Sequence, residues 1–446
     1  MRIANFILGE RKVFVIAEIG NNHNGSLEIA LEMVDAANEA GADCVKFQMR
    51  NMSSVYRKKS LAKQGEDLGT EYVLDLLERF QLSQSEHKQV AQYCEDKGIL
   101  YMCTPWDSDS IVALEALDVK AYKVASADLT NLPLIANLIA TQKPLILSTG
   151  MSSVDEIQIT ADFLNSRSAE FVLLHCNSTY PAPFHDINLN WITKLKDIHP
   201  LVGYSGHERG IAVTLAAVGL GAKVVERHFT FDRNMEGPDH AASLEQDEFK
   251  ALVSGIREIE EALGDGLERT ISQGEMINRE NLAKSLVASQ DIVKGTVIEP
   301  QHLSVLSPGQ GLSAQNYEKL LGRIVQRDML EEEYFYPSDL RDTRAEPKSY
   351  KFNRPWGVPV RYHDFGEYNS KISPNVFEFH LSYSDLDLNI DEFLTGEYEC
   401  GFVVHAPELF SGSRLMDLAS PDEEYRQYSV RETQRVIDIT RSLKKY

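Results

Sequence analysis

Two histidines, His207 and His228, have the type and spacing that a catalytic metal site requires. His207 lies just beyond a short apolar run that ends at Tyr204, and His228 lies within the apolar run Val224–Phe229. If these runs are neighbouring parallel strands, their C-terminal ends lie side by side and the imidazoles meet. Two imidazoles with positions open for water and a substrate oxygen suit a divalent metal. Considered singly, His228 is explained as well by a hydrogen-bonded core position and His207 by a loop position.

Polar residues end or follow six other apolar runs of the chain. Glu18 lies near the end of the first run, before the turn GNNHNG, and Lys46 and Gln48 share one face of the second. A lysine among apolar strand residues is costly unless it is paired or used, so a salt bridge from Lys46 to Glu18 or Asp43 is the structural alternative to a binding role. The polar residues in or after the other runs are Thr104, Lys123, Ser126, Asp128, Ser148, Ser178 and Tyr180.

The spacing of these runs predicts a (β/α)8 barrel, an α/β fold of the TIM type. Eight runs alternate with helical patterns within roughly 265 residues, which is the usual size of this fold, and its active sites lie at the C-terminal ends of the strands. Ser26 is predicted to cap the first helix, and Ser243 and Gln246 to form a capping box for the closing helix, Gln246–Leu263. The predicted strands are Val13–Ile19, Cys44–Gln48, Ile99–Cys103, Ala121–Ser126, Leu145–Leu147, Phe171–His175, the run ending at Tyr204, and Val224–Phe229.

The polar groups at these strand ends indicate three classes of function. Two lysines and several hydroxyls describe a pocket for a phosphate and a carboxylate, beside a metal that polarises a carbonyl, which suits a metal-dependent enzyme. A second interpretation is a Schiff-base aldolase or lyase with Lys123 as its nucleophile. A third is a carbohydrate-binding or scaffold protein without catalysis, against which the presence of all these reactive groups argues.

Charge and cysteine content exclude some partners. With 45 basic and 67 acidic residues the net charge is -22, which argues against binding to nucleic acid or to an anionic membrane surface. The five cysteines form no CxxC pair, which favours a reducing compartment. No signal peptide and no run of membrane-spanning length is found in the sequence, so a cytoplasmic location is predicted.

Composition also divides the chain into segments. We predict a barrel domain at 1–264, a linker at 265–281 and a small domain at 282–342 with short strands and Gly or Pro turns. A last α/β segment at 350–446 follows a polar linker, Arg344–Lys351, and holds too few strands to close a barrel. Within the barrel domain, the polar stretch Asn51–Gly69 is predicted to form a long loop or mobile lid over the mouth.

Two helix starts are predicted in the last segment. Ser420 with Pro421 is predicted to begin one helical turn, and Ser429 with Glu432 to form a capping box for a final helix. Three histidines follow or end its strands and would be candidate ligands in a complete barrel, although structural roles are the better interpretation. These histidines are His363, His380 and His405.

Eight motifs of the predicted barrel resemble, in order, those of the sialic acid synthase family. They are AEIGNNHNG, GADCVKFQ, AYKVAS, LSTGM, HCNSTYP, GYSGH, ERHFTFDR and GPDHAASL, and together they cover residues 13–263. The resemblance implies a synthase that condenses phosphoenolpyruvate with an N-acylated mannosamine or a related sugar and yields a nonulosonic acid and phosphate. It also implies a divalent metal, Mn2+ or Mg2+. N-acetylmannosamine, a diacetamido sugar and plain mannose are the candidate sugars.

The same resemblance implies roles for individual residues. His207 and His228 become the metal ligands, and Glu18, Lys46 and Lys123 become the catalytic candidates. The phosphoenolpyruvate site is implied at Lys46, Thr104, Lys123, Ser126, Ser148 and Ser178, and the sugar site at Gln48, Tyr180 and Asp239. The substrate-binding candidates in full are Gln48, Thr104, Ser126, Asp128, Ser148, Ser178, Tyr180, Ser205 and Asp239.

The C-terminal segments carry resemblances of their own. Residues 282–342 resemble the antifreeze-like (SAF) domain of these synthases, which implies a domain-swapped homodimer in which this domain covers the partner's active site. Ser307 stands where several relatives carry an arginine before a Pro-Gly turn. Either Lys284 or Arg323 replaces that arginine, or selectivity for the N-acyl group is weaker. Residues 350–446 resemble the start of a sugar phosphate isomerase barrel.

Overall fold

The computed structural model describes residues 1–56, 70–264, 266–341 and 352–446. The chain divides into two compact units, Met1–Thr270 and Ile271–Tyr446. Residues 57–69 of the predicted lid and the predicted linker Arg344–Lys351 lie outside the described residues. None of the helices in the described ranges has the length and apolar character needed to cross a membrane.

The described residues of the first unit form ten strands, of which the first two make a short hairpin and the other eight a parallel sheet. Thr104 and Ser148 lie inside their strands rather than after them, and Ser126 begins a turn of 3-10 helix after the fourth barrel strand. The strands are β1 (Arg2–Ile3), β2 (Phe6–Ile7), β3 (Phe14–Gly20), β4 (Cys44–Met49), β5 (Leu100–Pro105), β6 (Tyr122–Val124), β7 (Leu145–Ser148), β8 (Phe171–Cys176), β9 (Val202–Gly206) and β10 (Val224–His228).

The eight-stranded sheet curves into the predicted barrel. Its strands follow the order β5-β4-β3-β10-β9-β8-β7-β6, so the first and last barrel strands, β3 and β10, are neighbours. They pair in parallel with Glu18 opposite His228. β5 and β6 are also neighbours, but no backbone pairing joins these two described strands. The carboxyl ends of all eight strands therefore meet at one end of the barrel, as the sequence predicts.

Helices surround this sheet because their apolar stripes pack on its outer face. Ser26 caps the first of them as predicted, with its Oγ accepting a hydrogen bond from the backbone N–H of Ile29 at 3.3 Å. The helices of the first unit are α1 (Leu27–Glu39), α2 (Met52–Val55), α3 (Thr70–Arg79), α4 (Gln84–Lys97), α5 (Ser108–Glu115), α6 (Leu132–Ala140), α7 (Val154–Asn165), α8 (Phe184–Ile187), α9 (Trp191–Ile198), α10 (Ala212–Gly219) and α11 (Gln246–Ala262).

The predicted capping box of the closing helix was wrong. Glu245 is the N-cap of α11, and its box is made with Glu248 rather than by Ser243 and Gln246. The Ser243 hydroxyl is already engaged, since it donates to the Asp239 carbonyl at 2.8 Å and accepts from an asparagine side chain at 2.9 Å. A serine whose oxygen serves the loop cannot also cap the helix.

The barrel interior is apolar at the N-terminal ends of the strands. We call this region the lower lumen, and the hairpin residues Ile3 and Leu8 pack against it from below. Strand alternation turns every second residue inward, so these side chains share the inner face with the polar residues nearer the strand ends. The strand residues of the lower lumen are Phe14, Ile16, Cys44, Met102, Ile146, Val172, Leu174 and Val224.

The second unit contains an antiparallel pair, β11-β12, and a three-stranded parallel sheet in the order β13-β14-β15. Three parallel strands agree with the sequence-based expectation, and His380 and His405 face each other in register with ring centroids 4.5 Å apart. Its elements are α12 (Gln273–Leu282), β11 (Ser285–Ala288), β12 (Leu303–Leu306), α13 (Tyr317–Leu320), β13 (Gly357–Val360), α14 (Tyr362–Lys371), β14 (Val376–His380), β15 (Gly401–His405), β16 (Leu409–Phe410), β17 (Arg414–Leu415) and α15 (Glu423–Ser442).

Two helices of this unit differ from the sequence-based expectation. The segment predicted as a linker contains α12, which begins at a capping box formed by Ser272 and Glu275 and buries none of its residues. The predicted capping box at Ser429 and the separate helical turn at Ser420 were wrong, because one long helix, α15, begins after the cap Asp422. Ser429 is buried inside that helix, where its hydroxyl accepts a backbone hydrogen bond at 3.1 Å.

Candidate active site

A recess of about 180 Å³ opens at the C-terminal ends of the barrel strands, directly above the lower lumen. We call it the upper lumen. Six of its lining residues were not predicted from the sequence: Trp106, Ala125, Ala127, Met151, Cys176 and Glu226. The predicted residues that line it are Glu18, Lys46, Gln48, Thr104, Lys123, Ser126, Ser148, Ser178, Tyr180, Ser205, His207 and His228.

Four buried charged residues form the floor of the upper lumen. Lys46 Nζ lies 2.9 Å from Glu18 Oε2 and 3.5 Å from Glu226 Oε2, and Lys123 Nζ lies 3.9 Å from Glu226 Oε1. The salt bridge to Glu18 proposed as the structural alternative for Lys46 is therefore present, whereas Asp43 is paired elsewhere. Buried ion pairs are weak evidence for stability, so pairing does not explain why these charges are inside the barrel.

Burial shifts the pKa values of two of these groups toward neutral pH. Burial raises the pKa of Glu18 to about 7, despite the attraction of Lys46, and burial lowers the pKa of Lys123 to about 8. For Lys46 burial is outweighed by the two carboxylates, which raise its pKa, and the two lysines hold the pKa of Glu226 below its ordinary value despite burial. A carboxyl and an amine that titrate near neutrality can exchange protons with a substrate.

Hydroxyl groups line one side of the upper lumen. Lys46 Nζ donates to Thr104 Oγ1 at 3.1 Å, and Ser148 Oγ is buried without a partner among the described residues. A Cβ added at Gly150 would clash with the hydroxyls of Ser126 and Ser178, so glycine leaves room for both. Clustered hydroxyl and ammonium donors of this kind bind phosphate and carboxylate oxygens.

The two imidazoles meet in the same recess, with ring centroids 5.3 Å apart. His207 Nδ1 donates to the Asn177 carbonyl at 2.6 Å, so in the neutral form of this ring Nε2 is the nitrogen without a proton and able to coordinate. His228 Nδ1 is buried, has no hydrogen-bond partner among the described residues and lies 3.9 Å from Asp239 Oδ2. Burial and then the charge of His207 lower the pKa of His228 far below its ordinary value, so this ring is neutral.

These two imidazole rings suit a divalent metal whose other coordination positions are filled by water or substrate. No group of three or more histidine, cysteine or carboxylate ligands is present within the described ranges. A catalytic metal site leaves coordination positions open, and neutral imidazole is the form that binds. The buried, unpartnered nitrogen of His228 is the observation that a structural histidine would not explain.

The residues predicted to hold a sugar surround the imidazoles. Gln48 Nε2 donates to Glu18 Oε1 at 2.9 Å, and the Tyr180 ring lies 4.1 Å from the His207 ring between centroids. A Cβ on Gly20, whose φ is +55°, would lie 3.1 to 3.6 Å from the polar atoms of Glu18, Gln48 and Asp239, so the three converge there.

Asp128 is the predicted residue that the fold does not bring to the recess. Its carboxylate accepts a hydrogen bond from Asn131 at 2.9 Å, in the turn that precedes α6, and it is absent from the lining. Asp239 also lies outside the lining but stays beside His228.

Sequence reasoning missed two charged residues of this region, Glu226 and Arg50. Glu226 lies two positions before His228 on β10, so strand alternation places both side chains on the inner face. Arg50 lies two positions after Gln48 and donates a hydrogen bond to its Oε1. The same period of two that indicated Lys46 and Gln48 was the signal available for both.

Comparison with known proteins identifies the family of this chain and its relatives. Residues 33–268 match the sequence model of the NeuB family. The chain belongs to the NeuB family. Residues 283–341 of this family member match the SAF domain, as the resemblance of that segment implied.

Curated NeuB relatives have names that describe nonulosonic acid synthesis. N,N'-diacetyllegionaminic acid synthase of Campylobacter jejuni is 40% identical over 330 residues, which span 72% of this chain and 98% of the relative. Human N-acetylneuraminate-9-phosphate synthase is 35% identical over 323 residues, which span 71% of this chain and 89% of the relative.

A solved structure supports the same assignment. The N-acetylneuraminic acid synthetase of Leptospira borgpetersenii, crystallised in complex with citrate, superposes with a TM-score of 0.56 at 33% identity and covers 62% of this chain and 95% of that chain. The (β/α)8 barrel and the SAF domain predicted from the sequence are thus confirmed.

Proposed function

We propose that this chain is a nonulosonic acid synthase, a transferase that condenses phosphoenolpyruvate with N-acetylmannosamine or a related sugar. The observation that carries the proposal is the set of groups gathered in one recess. Ammonium and hydroxyl donors lie around Lys46 and Lys123, and two imidazoles line the same recess. Phosphoenolpyruvate carries a phosphate and a carboxylate that match the ammonium and hydroxyl donors, and an aldehyde oxygen would match a metal held by the imidazoles.

The reaction joins carbon 3 of phosphoenolpyruvate to the aldehyde carbon of the open-chain sugar. The aldehyde oxygen gains a proton, and water adds to carbon 2 and loses its first proton. The bond from carbon 2 to the phosphate oxygen then breaks as the new hydroxyl becomes a carbonyl, and the hydroxyl proton passes to the departing phosphate. We assign Lys46 and Lys123 to bind and orient the anionic substrate. We assign Glu18 to hold the attacking water and accept its proton, because a carboxyl with a pKa of about 7 is a suitable base at neutral pH.

A divalent metal, Mn2+ or Mg2+, would be held by His207 and His228. When bound, such an ion supplies Lewis-acid stabilisation of the negative charge on the aldehyde oxygen. The protein prepares both ligands: the Asn177 carbonyl fixes the ring of His207, and burial keeps His228 neutral. Gln48, Tyr180 and Asp239 surround this pair and are our candidates for orienting the sugar.

Phosphate release is the experiment that tests the function. Purified protein would be incubated with phosphoenolpyruvate, a divalent metal and one sugar from a panel of N-acetylmannosamine, its 6-phosphate, a 2,4-diacetamido sugar and mannose. We expect sugar-dependent phosphate release, with a nonulosonic acid as the second product. Absence of release with every sugar would contradict the proposal.

The aldolase interpretation retains one favourable observation, the pKa of about 8 of Lys123, because a nucleophilic amine must lose its proton. Treatment with pyruvate and borohydride separates the two functions. A synthase gives no stable adduct, whereas a Schiff-base enzyme becomes covalently modified on Lys123. Mass spectrometry of the peptide that contains this residue gives the answer.

We also propose that the molecule acts as a homodimer in which the SAF domain covers the partner's upper lumen. The support is the match at residues 283–341 together with the sequence resemblance that implied the arrangement. Lys284 Nζ donates to Ser307 Oγ at 2.7 Å, which supports Lys284 as the cation that stands in for the arginine of relatives. Sedimentation equilibrium tests the dimer, and activity of mixed inactive variants tests the exchange of domains.

A further inference from the structure

The inner face of β4 continues past its last residue. Lys46 and Gln48 point into the upper lumen, and Arg50, two positions later, lies on the same face by strand alternation. Arg50 is only 7% exposed although it lies at the mouth of the barrel. A buried guanidinium is costly unless its donors are used, so its position requires an explanation.

Two residues of the recess wall contact this guanidinium, which also shares a hydrogen bond with Tyr56 and is attracted by Asp239. Its Nη2 donates to Gln48 Oε1, and its Cζ lies 4.6 Å from the centroid of the Trp106 ring, in the geometry of a cation–π contact. Both partners line the upper lumen, whereas Arg50 itself does not. Arg50 therefore lies behind the wall of the recess and contacts two residues that form it.

The first contact decides which way the Gln48 amide faces. An amide has an accepting oxygen and a donating nitrogen, and here the oxygen faces Arg50 while the nitrogen donates to Glu18 at 2.9 Å. Glu18 in turn lies 2.9 Å from Lys46 Nζ. A continuous chain of charge-assisted hydrogen bonds thus runs from Arg50 at the mouth to Lys46 at the floor.

We propose that Arg50 is a positioning residue for the sugar, acting through the Gln48 amide and the Trp106 ring. The inference rests on the proposed function, and it concerns the sugar rather than phosphoenolpyruvate because of where Gln48 lies. Its nitrogen converges with Asp239 and Glu18 around Gly20, on the side of the imidazoles. Ser126 and Ser178, two of the hydroxyl residues assigned to phosphoenolpyruvate, converge instead around Gly150.

The test is a comparison of KM for the two substrates in Arg50→Met and Arg50→Lys. The sugar is whichever of the panel the wild type consumes fastest. Arg50→Met is expected to raise KM for the sugar about tenfold or more, because a charge-assisted hydrogen bond is lost, and to change KM for phosphoenolpyruvate less than twofold. Arg50→Lys should recover part of the loss, since an ammonium can donate to Gln48 but cannot stack its plane on Trp106.

Arg257→Met is the matched structural control. Arg257 is also partly buried, but it binds the Val13 carbonyl and Asp43 at the opposite ends of the strands. We expect this variant to lower the melting temperature and to leave both KM values unchanged. If Arg50→Met instead raises both KM values equally, or neither, Arg50 is a structural residue and the inference is wrong.

A second measurement covers the case in which Arg50→Met folds poorly. If Arg50 acts through the Trp106 ring, then Arg50→Lys, which keeps a donor to Gln48 but loses the stacked guanidinium, should raise KM for the sugar in the wild-type background and have little further effect in Trp106→Leu. Equal effects in both backgrounds would overturn the inference. A wild type that releases no phosphate would refute the proposed function itself, which is a different outcome from active enzymes whose KM values do not separate.

Discussion

The lower and upper lumen are made by the same strands, often by residues only two positions apart. On β3 the inner face changes from Ile16 to Glu18, and on β7 it changes from Ile146 to Ser148. The four charged floor residues of the upper lumen are nearly as buried as the apolar side chains of the lower lumen. Burial costs the apolar side chains of the lower lumen no free energy. In the upper lumen, two carboxyl groups and two amines are buried, and desolvation shifts their pKa values.

The difference between the two regions separates stability from activity. Apolar burial contributes free energy of folding in proportion to the area buried. Buried ion pairs often do no more than offset their own desolvation, so replacing a whole pair by apolar residues is often neutral or stabilising, provided that no unpaired charge remains. We therefore expect substitutions in the lower lumen to reduce stability and those in the upper lumen to reduce activity.

The largest effect is expected for the imidazoles. His207→Ala or His228→Ala should reduce kcat on the order of a thousandfold or more, because Lewis-acid stabilisation contributes several kcal/mol. Circular dichroism should show an intact fold. His175→Gln is the control, since His175 is a buried histidine of β8 that bonds the Ile187 carbonyl instead. Full turnover by either alanine variant, or by chelator-treated wild type, would contradict the metal assignment.

A substitution in the lower lumen should show the reverse behaviour. Ile146→Ala removes a fully buried side chain and is expected to lower the free energy of unfolding by about 2 to 5 kcal/mol, through lost transfer energy and the cavity that remains. Chemical denaturation measures this loss. For the folded variant, KM for the sugar and KM for phosphoenolpyruvate should both stay within about twofold of the wild type. A selective loss of substrate binding would contradict the proposed separation of stability from activity.

Next in size is the effect of the floor lysines on binding. Lys46→Ala should raise KM for phosphoenolpyruvate by roughly tenfold to a hundredfold, as expected for a lost charge-assisted contact with an anion. Lys123→Ala should behave similarly. Lys143→Ala is the control, because Lys143 pairs with Glu115 at 2.7 Å and does not line the recess. Steady-state kinetics that leave KM unchanged in both floor variants would refute their role.

The smallest effect is a dependence of stability on pH. The folded pKa of Lys123, about 8, lies below its ordinary value of 10.5, so the folded state binds fewer protons between these values and wild-type stability rises with pH across that window. Lys123→Met should therefore be more stable than the wild type at pH 7, by about 1 to 2 kcal/mol, and the advantage should shrink toward pH 10.5. A variant that is less stable at pH 7 would show that the charge stabilises the fold.

Strand alternation and the geometry of parallel barrels account for most of what could be predicted. The eight strands were marked by apolar runs, and because their carboxyl ends must meet, Lys46 and His228 could be expected at one site despite their separation in sequence. Glu226 was missed although it opens the motif ERHFTFDR, because it lies within an apolar run and the resemblance implies a role only for His228 of that motif. Its function as the partner of both lysines depends on distances that only the folded barrel gives.

The errors at helix ends have a common physical cause. Several residues near a helix start can act as its cap, and the one that does so is decided by competing hydrogen bonds. Ser243 was predicted as a cap but serves the preceding loop, and Ser429 has good capping chemistry but lies within α15. The helix α12 was missed for another reason, since it buries none of its residues and so lacks a strong apolar stripe.

The wall of the barrel is weakest where β5 meets β6. The N–H of Tyr122 donates to the Pro144 carbonyl at 2.9 Å, on the side of β7. Because backbone N–H groups alternate in direction along a strand, the N–H of Lys123 points toward β5, with which the described part of β6 forms no backbone pairing. In amide hydrogen exchange, this proton should therefore be lost sooner than those of the central strands β3 and β10. Because Thr104 and Lys123 flank the same gap, bound phosphoenolpyruvate would bridge it, and slower exchange at Lys123 would report ligand binding without any turnover.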